Sequence, residues 1–189
     1  MRDPSKRSLL TDLILVILCV LLFGPAHAQY GTLSGDWPSY GGDTGSTKYS
    51  PLDQINAQNF QELEVAWTWT SIDGGLDLEA IQQINEAVRI NNFQGTPLKV
   101  GDKLFIITAL NQVAALDPIN GETLWSFNPE VYLSGSPINY IGYHNRGLAY
   151  WTDGENERIL AGLNDGYLLS LDAATGEPDP AFNGGKIDL

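Results

Sequence analysis

Residues 116–128 read Leu-Asp-Pro-Ile-Asn-Gly-Glu-Thr-Leu-Trp-Ser-Phe-Asn, and residues 171–183 read Leu-Asp-Ala-Ala-Thr-Gly-Glu-Pro-Asp-Pro-Ala-Phe-Asn. At an offset of 55 the two stretches share six identities in 13 positions: Leu116 with Leu171, Asp117 with Asp172, Gly121 with Gly176, Glu122 with Glu177, Phe127 with Phe182 and Asn128 with Asn183. A period of about 50 residues, with about four short strands in each copy, indicates propeller blades and not a sandwich. The shared residues have physical work to do. Asp117 and Asp172 each end a strand, where a carboxylate accepts hydrogen bonds from the N–H groups of the next turn, and Gly121 and Gly176 supply the positive φ that such a turn needs. Trp125 offers a flat surface to a neighbouring blade. Pro180 takes the tryptophan's position in the second copy and Pro178 disfavours a central strand, so the fourth strand of that copy is in doubt.

Working outward, the chain beyond Phe93 is a series of short apolar runs rich in β-branched and aromatic residues, separated by Gly, Asn and Asp. Strands are predicted at about 96–100, 103–109, 112–116, 123–127, 147–151, 158–163 and 166–171, joined as antiparallel meanders. The fold class is all-β: part of a propeller of four-stranded blades, with about two blades at 93–189 and an N-terminal arm, short helix and closing strand at 29–92. Gln54 to Leu63 reads as the short helix. Glu64-Val65-Ala66-Trp67-Thr68-Trp69-Thr70 alternates as a strand with Val65, Trp67 and Trp69 on one face. Residues 71–92 read as a long connection with a helical turn around Leu78 to Val88. Two blades cannot close a ring and leave apolar sheet faces uncovered. The expectation is the N-terminal portion of a longer protein, or a truncated product.

Residues 1–28 have the form of a secretory signal: Arg2, Lys6 and Arg7 precede an apolar run from Leu13 to Phe23, and Ala26-His27-Ala28 offers a cleavage site. The run is too short to span a bilayer as a helix, which takes about 20 residues. The one Cys, Cys19, lies inside it without the small preceding residue that lipidation needs, so the exported chain carries no thiol and no disulfide. A periplasmic location is the expectation, with an uncleaved anchor and membrane association as the alternative. The 10 Lys and Arg against 23 Asp and Glu give a formal net charge of −13, which repels a phosphate backbone and argues against nucleic acid as a partner. The sequence has no Walker loop, dinucleotide fingerprint, zinc spacing or Ser-His-Asp pattern.

Asp36-Trp37-Pro38-Ser39-Tyr40-Gly41-Gly42, Tyr49-Ser50-Pro51-Leu52-Asp53-Gln54-Ile55-Asn56, Ala66-Trp67, and the stretch from Thr96-Pro97-Leu98-Lys99-Val100-Gly101 to the end together resemble the pyrroloquinoline quinone (PQQ)-dependent dehydrogenases, in particular the glucose dehydrogenase-like branch. Ala115-Leu116-Asp117 through Gly121 and Trp125 look like that family's tryptophan-docking repeat. Asn120 stands in place of the usual Thr; in the second copy Ser170 replaces the Ala. The resemblance implies an eight-bladed propeller holding PQQ beside a calcium ion. It also implies oxidation of a sugar, polyol or alcohol hydroxyl, with electrons passing to a quinone or cytochrome c. In such chemistry the cation polarises a quinone carbonyl, a carboxylate takes the substrate proton, and an Arg or Lys stabilises charge on the reduced quinone.

Two positions match cofactor contacts of that family. Arg146, in Asn145-Arg146-Gly147, looks like the arginine that reaches the PQQ carboxylates, a role suited to a planar bidentate cation. Read from its residues alone it is a surface arginine paired with a carboxylate. Gln94, in Phe93-Gln94-Gly95, sits where relatives commonly carry a Glu; it keeps the hydrogen bonds and loses the charge, or it merely caps a turn. Tyr140-Ile141 occupies the place of the adjacent Cys pair of the alcohol-oxidising branch, which favours a sugar or polyol. His144 is read as a turn histidine or a group near the cavity mouth. Asp165, in Asn164-Asp165-Gly166, is a hairpin-turn residue and not a base. The family's calcium ligands, catalytic base and the aromatic floor under PQQ are expected beyond Leu189, so no metal ligand is assigned here. A non-catalytic propeller module of the outer-membrane assembly type is the competing reading, as is an inactive truncated chain.

Overall fold

The computed structural model describes residues 32, 35–90, 93–134 and 142–189. The signal read at 1–28, with Cys19, and Tyr140-Ile141 lie outside them. Two four-stranded antiparallel sheets follow one another along the chain. The first runs β1 (Leu98–Val100), β2 (Lys103–Ile107), β3 (Val113–Leu116) and β4 (Thr123–Phe127), each strand hydrogen-bonded to the next. The second repeats the order with β5 (Ala149–Thr152), β6 (Glu157–Gly162), β7 (Tyr167–Asp172) and β8 (Lys186–Asp188).

Period-two alternation sorts the side chains of the first sheet into two faces. Phe105, Ile107, Val113 and Ala115 share a core with Ile159, Ala161, Leu169 and Leu171 of the second sheet. Ile106, Ala114 and Leu116 face the other way, where Trp67, Trp69, Ile72 and Leu104 pack over them. β3 is fully buried along its length, as a strand covered on both faces must be. Each buried Leu, Ile or Val contributes about 1.5–3 kcal/mol, so the shared face holds the two blades together.

Before β1 the chain is mostly irregular. Helix α1 (Leu78–Ile84) is capped by Asp77, whose carboxylate accepts from the Ala80 N–H at 3.0 Å, and it buries Ile81. The helix expected at Gln54 to Leu63 contracts to a single 3-10 turn at Phe60–Glu62, with none of its residues buried. Residues 64–70 form no strand and pair with none among the described residues. Trp67 and Trp69 do share the face assigned to them, whereas Val65 is 83% exposed. The arm at Trp37 adds to the free edge of β1: Trp37 N–H donates to Lys99 O at 2.6 Å, and Lys99 N–H returns a bond at 3.1 Å.

The second blade does have a fourth strand, displaced beyond the prolines. Leu171 bridges Pro178, and the Asp179 N–H donates to Ser170 O at 3.0 Å where the first blade sets Trp125 opposite Ala115. The chain then loops outward and returns at Asn183–Gly185, so that Lys186, Ile187 and Asp188 pair with Leu169, Leu168 and Tyr167. Proline has no N–H for the ladder, and pairing resumes where ordinary residues are available.

Candidate functional site at the arginine end of the blades

Antiparallel order gives the blades two distinct ends. The β3–β4 and β5–β6 turns lie at one; the segments leading into β1 and β5 lie at the other, with the β2–β3 and β6–β7 turns.

The first is the docking end. Asp117 Oδ1 accepts from the Ile119 N–H at 2.7 Å, and Asp172 Oδ1 accepts from the N–H groups of Ala174 and Thr175 and the Thr175 hydroxyl. Gly121 and Gly176 sit at φ +75° and +76°. A Cβ on Gly121 collides with the Trp67 indole, and one on Gly176 comes within 2.5 Å of Trp125. Trp67 Nε1–H donates to Pro118 O at 3.1 Å and Trp125 Nε1–H to Ala173 O at 3.3 Å, the same arrangement one blade apart. Trp125 therefore docks onto the second blade, and Trp67 docks onto the first. These groups are occupied by packing and carry no chemistry.

The second is the arginine end. Gln94 and Arg146 lie in adjacent segments: Thr96 and Gly147 form a parallel bridge, and the Thr96 N–H donates to Arg146 O at 2.9 Å. Gly95 lets its segment lie close against β2, because a Cβ there would stand 2.7 Å from Ile107 O. Asn145 braces its own turn, donating to Gly162 O at 2.7 Å and accepting from the Gly147 N–H at 3.1 Å. The backbone around Arg146 is thus fixed while its side chain is exposed and, among the described residues, makes no ion pair. The Gln94 side chain is also exposed and has no hydrogen-bond partner among them. A recess of about 390 Å³ is lined by Tyr40, Arg146, Gly147 and Leu148.

Tyr40 lines the recess beside Arg146, a place that the sequence did not announce. It arrives because the arm pairs with β1 at Trp37 and then turns tightly between Ser39 and Gly42, with Tyr40 inside the turn; Lys48 Nζ lies 5.8 Å from its ring centroid. The other candidates are placed elsewhere or held structurally. The His144 N–H donates to Asn164 Oδ1 at 3.2 Å, as befits a turn residue. Asp165 pairs with Lys186 at 2.9 Å with its side chain 5% exposed. A larger groove of about 500 Å³, lined by Trp67, Trp69, Phe93, Pro97, Ile106 and Leu116 among others, has no ionisable side chain; it is the partly covered face of the first blade. Among the described residues no three His, Cys, Asp or Glu are grouped to hold a metal ion. No helix among them is long and apolar enough to cross a membrane.

Residues 37–189 match the family described as PQQ glucose/ethanol/alcohol dehydrogenase, β-propeller domain. The chain is 31% identical over 184 residues to quinoprotein glucose dehydrogenase A of Acinetobacter calcoaceticus, the match covering 87% of this chain and 22% of that protein. It is 33% identical over 175 residues to the quinoprotein glucose dehydrogenase of Escherichia coli K12, covering 87% and 21%. The quinohemoprotein alcohol dehydrogenase structure from Comamonas testosteroni superposes with a TM-score of 0.54 at 30% identity, over 75% of this chain and 18% of that one. The chain spans about a fifth of the length of the curated relatives it matches.

Proposed function

The chain belongs to the PQQ-dependent glucose/ethanol/alcohol dehydrogenase β-propeller family, and we propose that it supplies two blades and one flank of the cofactor site of an exported dehydrogenase. The enzyme oxidises a hydroxyl of a sugar, polyol or alcohol and passes electrons to a quinone or cytochrome c; its compartment is the periplasm. Arg146 carries the reading: a guanidinium held by its backbone, exposed, and without an ion pair among the described residues of a chain of net charge −13.

The residues present fit part of a PQQ site. PQQ is a planar polycarboxylate, and the recess offers a planar cation in Arg146 and a phenol in Tyr40, with the neutral amide of Gln94 in the segment bridged to that of Arg146. When bound, PQQ supplies the two-electron oxidising chemistry. Arg146 binds and orients a carboxylate, Tyr40 covers the recess, and Gln94 adds hydrogen bonds without charge. The recess lining has no carboxylate to take the substrate proton, and the described residues give calcium no cluster, so neither role is assigned here.

Titration of PQQ into the chain, followed by quenching of tryptophan fluorescence, tests the reading. Arg146→Ala is expected to weaken binding roughly tenfold or more, as loss of a charge-assisted contact does, while the urea midpoint stays put. Equal affinities for the two proteins remove Arg146 from the site. With PQQ, Ca²⁺, glucose and a dye acceptor, the chain alone is expected to give no turnover.

A further inference from the structure

The β2–β3 turn of the first blade and the β6–β7 turn of the second are linked by a reciprocal pair of side chains. Asn111 Nδ2 donates to Asn164 Oδ1 at 2.8 Å, and the Asn164 N–H donates to Asn111 Oδ1 at 2.8 Å. Asn111 is fully buried and has φ +65°, a left-handed conformation that asparagine tolerates better than most residues. Its turn is anchored in turn by Asp73, 1% exposed, which accepts from the Thr108 hydroxyl, the Leu110 N–H and the Gln112 amide. On its other side Asn164 Oδ1 also accepts from the His144 N–H, two residues before Arg146.

We infer that the Asn111–Asn164 pair is a positioning device for Arg146, an inference that rests on the cofactor role proposed for that arginine. One carboxamide oxygen, Asn164 Oδ1, receives both the first blade's turn and the strand leader that carries the guanidinium. The leader is otherwise held by Asn145 to Gly162 and Gly147, and by Thr96 to Arg146 O. These bonds fix the backbone at 144–147 from both blades, so a shift of one blade against the other moves the arginine. Neither asparagine lines the recess formed by Tyr40, Arg146, Gly147 and Leu148, so each acts through Arg146.

The substitutions separate positioning from folding. Asn164→Ala removes the shared acceptor, whereas Asn164→Asp keeps an oxygen for both the Asn111 amide and the His144 N–H. Asn111→Gly keeps the left-handed turn but deletes the link. In the whole chain, Asn164→Ala and Asn111→Gly are expected to weaken PQQ binding roughly tenfold, since small misplacements of a binding group are costly. Hydrogen exchange of the His144 amide, measured without PQQ, is expected to speed up in both. Asn164→Asp restores both quantities. In an Arg146→Ala background, Asn164→Ala is expected to cause no further loss of affinity. Unchanged affinity and exchange in the two deletions, an equal loss in the Arg146→Ala background, or failure of Asn164→Asp to rescue would each overturn the inference. A wild-type chain that binds no PQQ overturns the cofactor reading of Arg146 and the cofactor half of this inference; the exchange rates then decide the clamp.

Discussion

The docking end and the arginine end of the blades are built on opposite principles. At the docking end each blade repeats one solution: an Asp-capped turn, a glycine at φ near +75°, and an indole from the preceding segment lying on it. At the arginine end the β2–β3 and β6–β7 turns repeat their backbone bonds, Thr108 with Gln112 and Leu163 with Tyr167, but the side-chain links do not repeat. Asp73, the Asn111–Asn164 pair and the Thr96–Arg146 bond each occur once, and each joins residues distant in sequence. Periodic packing holds the blades together and uses the Asp117 and Asp172 carboxylates in their own turns, whereas the polar network at the other end fixes a backbone and leaves the Arg146 side chain exposed. The contrast extends between blades: the second presents Asp179, ion-paired to Arg158, where the first presents Trp125.

The largest effect is expected from Trp125→Ala, which removes the indole between the two blades. Urea denaturation is expected to show a loss of about 4 kcal/mol, in the range for large-to-small aromatic truncations; a loss below about 1 kcal/mol would mean that the docked indole adds little to the shared aliphatic face. Next is Asp73→Ala at the other end. It strands the Thr108 hydroxyl, the Leu110 N–H and the Gln112 amide, at a cost of about 3 kcal/mol, and hydrogen exchange at 108–112 is expected to rise before the docking end responds. Uniform loosening would erase the distinction between the ends. Gly176→Ala forces a Cβ against Trp125 in a left-handed conformation and is expected to cost about 2 kcal/mol in the same denaturation.

The smallest effect is a pH dependence at the docking end. Asp153, in the β5–β6 turn, has its carboxyl pulled down to about 2 by the backbone N–H of Asn156, then by the Asn156 side chain and the Glu155 N–H. A carboxyl with a lower pKa folded than unfolded stabilises the fold above the unfolded value, and this is lost as pH falls from about 4 toward 2. Asp153→Asn is expected to flatten the fall in Tm slightly across that window; an unchanged profile would show that the turn contributes nothing.

This contrast also explains what was legible in the sequence. The all-β class and the strands β1–β7 could be read, to within a residue or two, because alternation and turn residues recur with the blade. β8 could not: Lys186-Ile187-Asp188 has no signature, and the strand exists only because the prolines before it push pairing along the chain. Residues 64–70 show the opposite error. Alternation correctly put Trp67 and Trp69 on one face, but a strand also needs a ladder partner, which local pattern does not report. At the arginine end, Gln94 and Arg146 were singled out by resemblance and stand in adjacent segments. Tyr40 and the two asparagines were passed over, because what brings them there is pairing across distances no local window spans.

Whether the arginine end is the cofactor end is decided by hydrogen exchange of the chain with and without PQQ. Protection is expected to be confined to 93–97 and 144–148, with the turns at 117–122 and 172–177 unchanged. Protection of the docking turns, or none at the arginine end under conditions where PQQ binds, would contradict it.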